Sequence, residues 1–107
     1  MELVISDNVA HKIWNKNNRR ISRDDAQRAW ATFIISNGLM YPAILDTRDD
    51  QDPPLQWILV KINRKLLKLV FSSYEDDDIY VAYLATAYYV ERKARIAYER
   101  EGGIIYG

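Results

Sequence analysis

The stretch LQWILVKINRKLLKLVFSSYEDDDIYVAYLATAY, residues 55–88, decides how the rest of the chain is read. It divides into three hydrophobic runs, Gln56–Asn63, Leu66–Tyr74 and Ile79–Tyr88. Short polar joins, Arg64-Lys65 and Glu75–Asp78, separate them. Runs rich in Val, Ile, Leu, Tyr and Phe with such breaks predict an antiparallel meander. Alternation then assigns faces. Ile58, Val60 and Ile62 oppose Trp57, Leu59 and Lys61; Leu67, Leu69 and Phe71 oppose Leu66, Lys68 and Val70. In the last run Val81, Tyr83, Ala85 and Ala87 oppose Tyr80, Ala82, Leu84, Thr86 and Tyr88. One face reads as core. The other is apolar but carries lysines and tyrosines, so it is either covered by another element or used for binding.

Outward from the meander, the chain reads as helical on both sides. Ser6-Asp7 predicts a capped helix to about Asn17, with Val9, Ile13 and Trp14 on its apolar stripe. A second helix starts at Ser22, where Asp25 supplies a capping box. Ala26, Ala29, Trp30, Phe33 and Ile34 give its buried face, and Asn37-Gly38 its stop. Met40–Thr47 reads as an edge or irregular strand because of Pro42, followed by an exposed acidic loop to Pro54. A last helix spans about Val90 to Glu101, with Val90, Ala94, Ala97 and Tyr98 inward and Gly102-Gly103 ending it. The prediction is one α+β domain over residues 1–107: two N-terminal helices, a four-stranded antiparallel sheet and a C-terminal helix.

Composition narrows the function classes. At 107 residues, 49% hydrophobic and 28% charged, the chain can bury one core and is not of disordered composition. No apolar run approaches the ~20 residues of a spanning helix. The first residues lack the basic region and apolar core of a signal peptide, so a cytoplasmic protein is expected. With no cysteine, disulfides and thiolate chemistry are excluded. Fifteen basic and fifteen acidic residues cancel. The cancellation hides segregation: Lys12, Lys16, Arg19, Arg20, Arg23 and Arg28 crowd the beginning, while acid gathers at Asp46–Asp52 and Glu75–Asp78.

Several chemistries are unsupported. His11, the only histidine, reads as a structural or solvated helix residue. Consecutive acids in loops read as solvated turns, since ligands of one cation must converge. There is no phosphate-cradling glycine loop and no nucleophile elbow. No metal and no cofactor are therefore expected. What remains is a basic and aromatic set on and around the sheet: Lys61, Arg64, Lys65, Lys68, Tyr80, Tyr88, Arg92 and Arg95. Such residues hold phosphate and stack bases, or else they are edge charges that discourage sheet aggregation.

Three segments carry a family resemblance: Ile21–Ala26, Arg64–Phe71 and Thr86–Glu99. In their order and spacing they resemble the BrnT family of bacterial toxins, within the RelE/ParE-like ribonuclease superfamily. The first is similar to the family's Val-Ser-x-Glu-Glu-Ala start of the second helix, the second to its Arg-hydrophobic-Val hairpin. The third is similar to its Ser-Ala-Arg-x-Ala…Arg…Tyr-Glu ending. The resemblance implies a RelE/BrnT-like fold and a hydrolase that cleaves mRNA without metal and is silenced by a cognate antitoxin. It implies attack by the ribose 2′-OH on the adjacent phosphate. Lys68 or Lys61 would carry the proton, and Arg64, Arg92 and Arg95 would clamp phosphate. Tyr88 or Tyr98 would act as acid or stacking platform, with Tyr80 on the same substrate surface. The chain departs from the family's words twice: Tyr88 stands at their arginine, and Asn17–Arg20 replaces their Lys-His. The competing expectation is a non-catalytic protein-interaction module on the same scaffold, of the kind a phage or other mobile element encodes. The apolar sheet face would then meet a protein partner or a second copy.

Overall fold

The structure is a computed structural model that describes residues 2–36, 44–45 and 54–107. Among these residues it is an α+β fold with three α-helices. In chain order these are β1 (Glu2–Val4), α1 (Asp7–Asn15), a 3-10 turn (Lys16–Asn18) and α2 (Arg23–Ile35). Then come β2 (Ile44–Leu45), β3 (Gln56–Ile62), β4 (Lys65–Asp76), β5 (Ile79–Val90) and α3 (Arg92–Arg100). The strands form one sheet in the order β1-β5-β4-β3-β2. The meander β3-β4-β5 is antiparallel as expected. The sheet as a whole is mixed, with five strands rather than four, because β1 pairs parallel to β5 through Leu3 and Ala82. Three residues carry too little alternation to announce a strand. β1 is instead held by tertiary contacts: Leu3 is 3% exposed, and its carbonyl accepts from Gln27 Nε2 on α2 at 2.8 Å.

Both hairpins turn through left-handed residue pairs, Asn63-Arg64 (φ 53° and 62°) and Asp77-Asp78 (φ 46° and 68°). This backbone matches the right-handed twist of the strands, and Asn and Asp tolerate it. The first turn is as short as expected but one residue earlier, the second has two residues instead of four, and β4 and β5 each run twelve residues. A bulge between Val70 and Phe71 changes the pairing from Val70↔Thr86 to Phe71↔Leu84, leaving Ala85 as the extra residue. That residue reverses the expected phase of β5. Ala82 and Leu84 share the core face with Ala87, whereas Val81 and Tyr83 share the opposite face with Thr86 and Tyr88.

The helices begin where the sequence puts them. Ser6 Oγ accepts from Val9 N at the start of α1. At α2, Ser22 Oγ accepts from Asp25 N at 3.0 Å, and Asp25 Oδ2 accepts from Ser22 N, completing the capping box. Helix α1 stops at Asn15, two residues short of the expected end. Asn17 and Asn18 turn left-handed, at φ 54° and 55°. Ile13 is buried but Trp14 is exposed, with the Arg20 guanidinium over its ring.

Helices α1 and α2 pack on one face of the sheet. There Trp30, Phe33, Phe71 and Tyr106 form an aromatic group with centroid spacings of 4.9–6.4 Å. Helix α3 lies on the other face and buries one residue, Tyr98, against Trp57 at 4.9 Å. Ala97, expected inward, is exposed, and Val90 belongs to β5. Beyond α3 the tail rounds the β3 edge. Lys61 N donates to Tyr106 O at 2.7 Å, and Tyr106 N donates to Leu59 O at 3.2 Å. β2 lies at the sheet edge, as Pro42 predicts. The Asn37-Gly38 stop and the acidic run Asp46–Asp52 fall outside the described residues.

Candidate nucleic-acid interface

The face that carries α3 can be read row by row across β5, β4 and β3 from the strand register. At the end near the β3–β4 turn the row is Val90, Leu66, Lys61. The next is Tyr88, Lys68, Leu59, and then Thr86, Val70, Trp57. Tyr98 sits over the β3 side against Trp57, and Leu59 and Val70 in these rows are buried. On the β5 side Thr86, Tyr88 and Val90 are half-buried. Two groups of candidate residues lie on this partly open surface.

The first group lines an open cleft of about 880 Å³ between the β3–β4 turn and α3. Antiparallel pairing of Leu66 with Val90 brings the start of β4 beside the start of α3. Arg64, Arg92 and Arg95 thereby converge, together with Lys65. Glu91 and Glu99 line the same cleft, and Arg95 Nε donates to Glu99 at 3.1 Å. Arg95 is thus partly committed within the helix, whereas Arg64 and Arg92 have no acidic partner among the described residues. The Lys65 ammonium lies 5.0 Å from the Tyr89 ring centre.

The second group crosses the strands. Lys68 Nζ lies 4.2 Å from the Trp57 ring centre and 5.4 Å from that of Tyr88, its cross-strand neighbour. On the far side of the column, Arg19 reaches in from the turn before α2. Its Nη1 donates to Thr86 Oγ1 at 2.9 Å and to Ala87 O at 3.2 Å, and its guanidinium carbon lies 5.1 Å from the Tyr88 ring centre. The result is an alternation of cation and ring: Arg19, Tyr88, Lys68, Trp57.

Other expected site residues lie elsewhere. Lys61 is exposed on β3, across from Leu66 rather than beside Tyr88. Tyr80 is eight residues from Tyr88 along β5, about 27 Å at strand rise. Its hydroxyl donates to Glu75 at 3.0 Å, so it does not join the group. Tyr98 is 1% exposed and its hydroxyl donates to Ile104 O at 2.7 Å. Burial pushes its pKa up to about 12. It is a packing residue between α3 and the sheet, not an open platform. Lys12 has a lowered pKa, through partial burial first and then the neighbouring charges of Lys16 and Arg19. Among the described residues no three His, Cys, Asp or Glu side chains are arranged to hold a metal ion. No described helix is long and apolar enough to cross a membrane.

Sequence reasoning missed Arg19 and Thr86 as site residues. They are 67 positions apart, and no local pattern joins them. Trp57 was within reach, since simple alternation puts it on the same face as Lys68. Fold and surface together define a small α+β domain with a cationic and aromatic band across an open sheet face. Comparison of the chain with family models, with curated proteins and with solved structures finds no match.

Proposed function

We propose that this chain binds RNA across the open sheet face and cleaves it without metal, as a toxin-type endoribonuclease acting on mRNA and held in check by a cognate antitoxin. The observation that supports this reading is the pairing of Lys68 with Tyr88 in one cross-strand row, one row from a cleft shared by Arg64, Arg92 and Arg95. As the 2′-OH attacks the adjacent phosphorus, the Tyr88 hydroxyl takes its proton and passes its own to a phosphoryl oxygen. The Lys68 ammonium protonates the departing 5′-oxygen as the P–O5′ bond breaks, and the cleft arginines stabilise charge on the phosphoryl oxygens.

The test is cleavage of an end-labelled mRNA in EDTA by the wild-type protein, by Lys68→Ala, by Tyr88→Phe and by Arg64→Asn. Asparagine suits the left-handed backbone at position 64. Cleavage that each variant lowers by about 100-fold or more supports the assignment. Intact RNA after incubation with folded wild-type protein sinks it.

A second reading, a non-catalytic interaction module, is favoured by a different surface. At the β4–β5 turn, Tyr74, Ile79, Val81 and Tyr83 border an open hollow of about 690 Å³, with Ile79 64% and Tyr83 46% exposed. Tyr74 and Tyr83 meet edge-on at 5.4 Å. Such a patch suits a protein partner or a second copy of the chain. Ile79→Asp and Tyr83→Ser would abolish that association and leave RNA chemistry untouched.

A further inference from the structure

The basic residues of the N-terminal third fall into two sets. Arg23 pairs with Asp7, and Arg28 pairs with Asp24 and Asp25. Lys12, Lys16 and Arg19 have no carboxylate partner among the described residues, and neither does Lys68. These unpaired cations come together: Lys12 feels the charges of Lys16 and Arg19, and Arg19 shares the Tyr88 ring with Lys68. Bringing like charges together at a half-buried surface raises the energy of the free protein, and a bound anion relieves it.

Arg19 is also held in place to an unusual degree. The turn that presents it has Asn17, Asn18 and Arg20 at φ 54–55°, while Arg19 itself is right-handed. Backbone bonds from Arg20 N to Trp14 O (3.0 Å) and from Ile21 N to Ile13 O (3.1 Å) close the turn onto α1. The side chain is then fixed by Thr86, Ala87 and the Tyr88 ring. Both side-chain hydrogen bonds use Nη1. The guanidinium has five N–H donors, and those on Nε and Nη2 meet no acceptor among the described residues. A planar, pre-oriented fork with unused donors is the geometry that takes two phosphate oxygens.

We propose that Arg19 is a phosphodiester ligand, gripping the RNA backbone on the β5 side of Tyr88 while Lys68 grips it on the other. The strand then crosses β5 and β4 transversely, with Tyr88 between two phosphate contacts. This inference rests on the RNA reading above and extends the binding site to a residue outside the meander and α3.

The test uses the full chain and a fluorescein-labelled RNA oligomer with 2′-O-methyl sugars, which lacks the attacking hydroxyl. Anisotropy gives the affinity over a range of salt concentrations for wild type, Arg19→Gln, Arg19→Lys and Lys68→Ala. Glutamine keeps an amide donor for Thr86 and Ala87 but removes the charge. A single-strand phosphate contact contributes about 0.7 to the slope of log affinity against log salt. Arg19→Gln should lose that increment and bind about tenfold more weakly, as expected for a charged hydrogen bond. Arg19→Lys should keep the slope. A residue that merely pins the turn to β5 would change thermal stability without changing the slope.

If Arg19→Gln keeps the full slope while Lys68→Ala loses its share, the Arg19 assignment is overturned and the RNA reading stands. If Arg19→Gln loses its share but wild type leaves mRNA intact in EDTA, Arg19 stands as a ligand and the nuclease reading fails. Absence of any salt-dependent binding by wild type overturns both.

Discussion

Replacement of Tyr98 separates packing from catalysis. In a catalytic acid the hydroxyl is everything; in an anchor the ring is. Tyr98 is the one buried residue of α3, set against Trp57, and its hydroxyl donates to Ile104 O at 2.7 Å. Tyr98→Phe removes that bond and keeps the ring, which costs about 1 kcal/mol. For a domain near this size that lowers Tm by about 4–8 °C. Tyr98→Ala removes the ring as well, and aromatic truncations in cores cost about 3–5 kcal/mol. Since small domains are stable by only about 5–15 kcal/mol, the alanine variant should release α3 and the tail that runs on to Tyr106. The assays are thermal melts followed by far-ultraviolet circular dichroism, and RNA cleavage at a temperature where both variants remain folded. The expectation is graded loss of stability, with cleavage by the phenylalanine variant within a few-fold of wild type. A phenylalanine variant with unchanged Tm and cleavage reduced by a factor of about 100–10,000 would refute this reasoning and make Tyr98 the acid.

The same phenol sets an alkaline limit. Its folded pKa of about 12 exceeds the ordinary tyrosine value of 10, burial being the main cause. The raised value means that stability is intact below pH about 10 and is lost as pH climbs to about 12, by roughly 2–3 kcal/mol. Phenolate absorbance should show a late-titrating tyrosine that is absent from Tyr98→Phe. At the acid end, partial burial of Asp25 works to raise its pKa, but hydrogen bonds from Arg28 and Ser22 outweigh it and hold the value below the usual aspartate range. That contribution is present above the unfolded aspartate pKa and fades as pH falls through the folded one. Ser22→Ala should cost about 1 kcal/mol at neutral pH and move the Asp25 carboxyl titration, read by NMR, upward. Gly103→Ala would put a Cβ 2.5 Å from Cε1 and Cζ of the Tyr98 ring, which has no room to move. A loss of about 1–3 kcal/mol in chemical denaturation is expected.

How much of this was legible depended on whether a pattern was local. The capping box at Ser22, the apolar face of α2 and the antiparallel meander follow from spacings of two to four residues, and the structure has them. The phase of β5 did not follow, because the extra residue at Ala85 answers to the register of β4 and not to its own neighbours. β1 was invisible for a related reason: three residues become a strand because β5 and Gln27 receive them. In the candidate site, the gathering of Arg64 with Arg92 and Arg95 is a consequence of hairpin geometry, since the start of β4 must return beside the end of β5. Tyr80 and Tyr88 share a strand in sequence, yet a strand of this length separates them. Tyr98 supported two readings, an inward helix residue and a reactive phenol. Its burial favours the first.

The open surface is a matter of lengths. Helix α3 has nine residues, about 13 Å of helix, whereas β4 and β5 at twelve residues extend about 40 Å. Anchored at its C-terminal half by Tyr98, α3 can cover the β3 side of a few rows and no more. The uncovered remainder is not uniform. Around Lys68 and Tyr88 it is cationic, bordered by Arg19 and continuous with the arginine cleft. Around Tyr74, Ile79 and Tyr83 it is apolar and bordered by Glu75. One occupant cannot suit both ends equally, since phosphate gains nothing from exposed isoleucine and tyrosine beside a carboxylate. A chain that must meet RNA at one end of the face and an inhibitory protein at the other would need this division. Variants that break one surface and spare the other then measure the two contacts separately: Arg19→Gln should weaken RNA binding while leaving association through Ile79 intact, and Ile79→Asp should do the reverse.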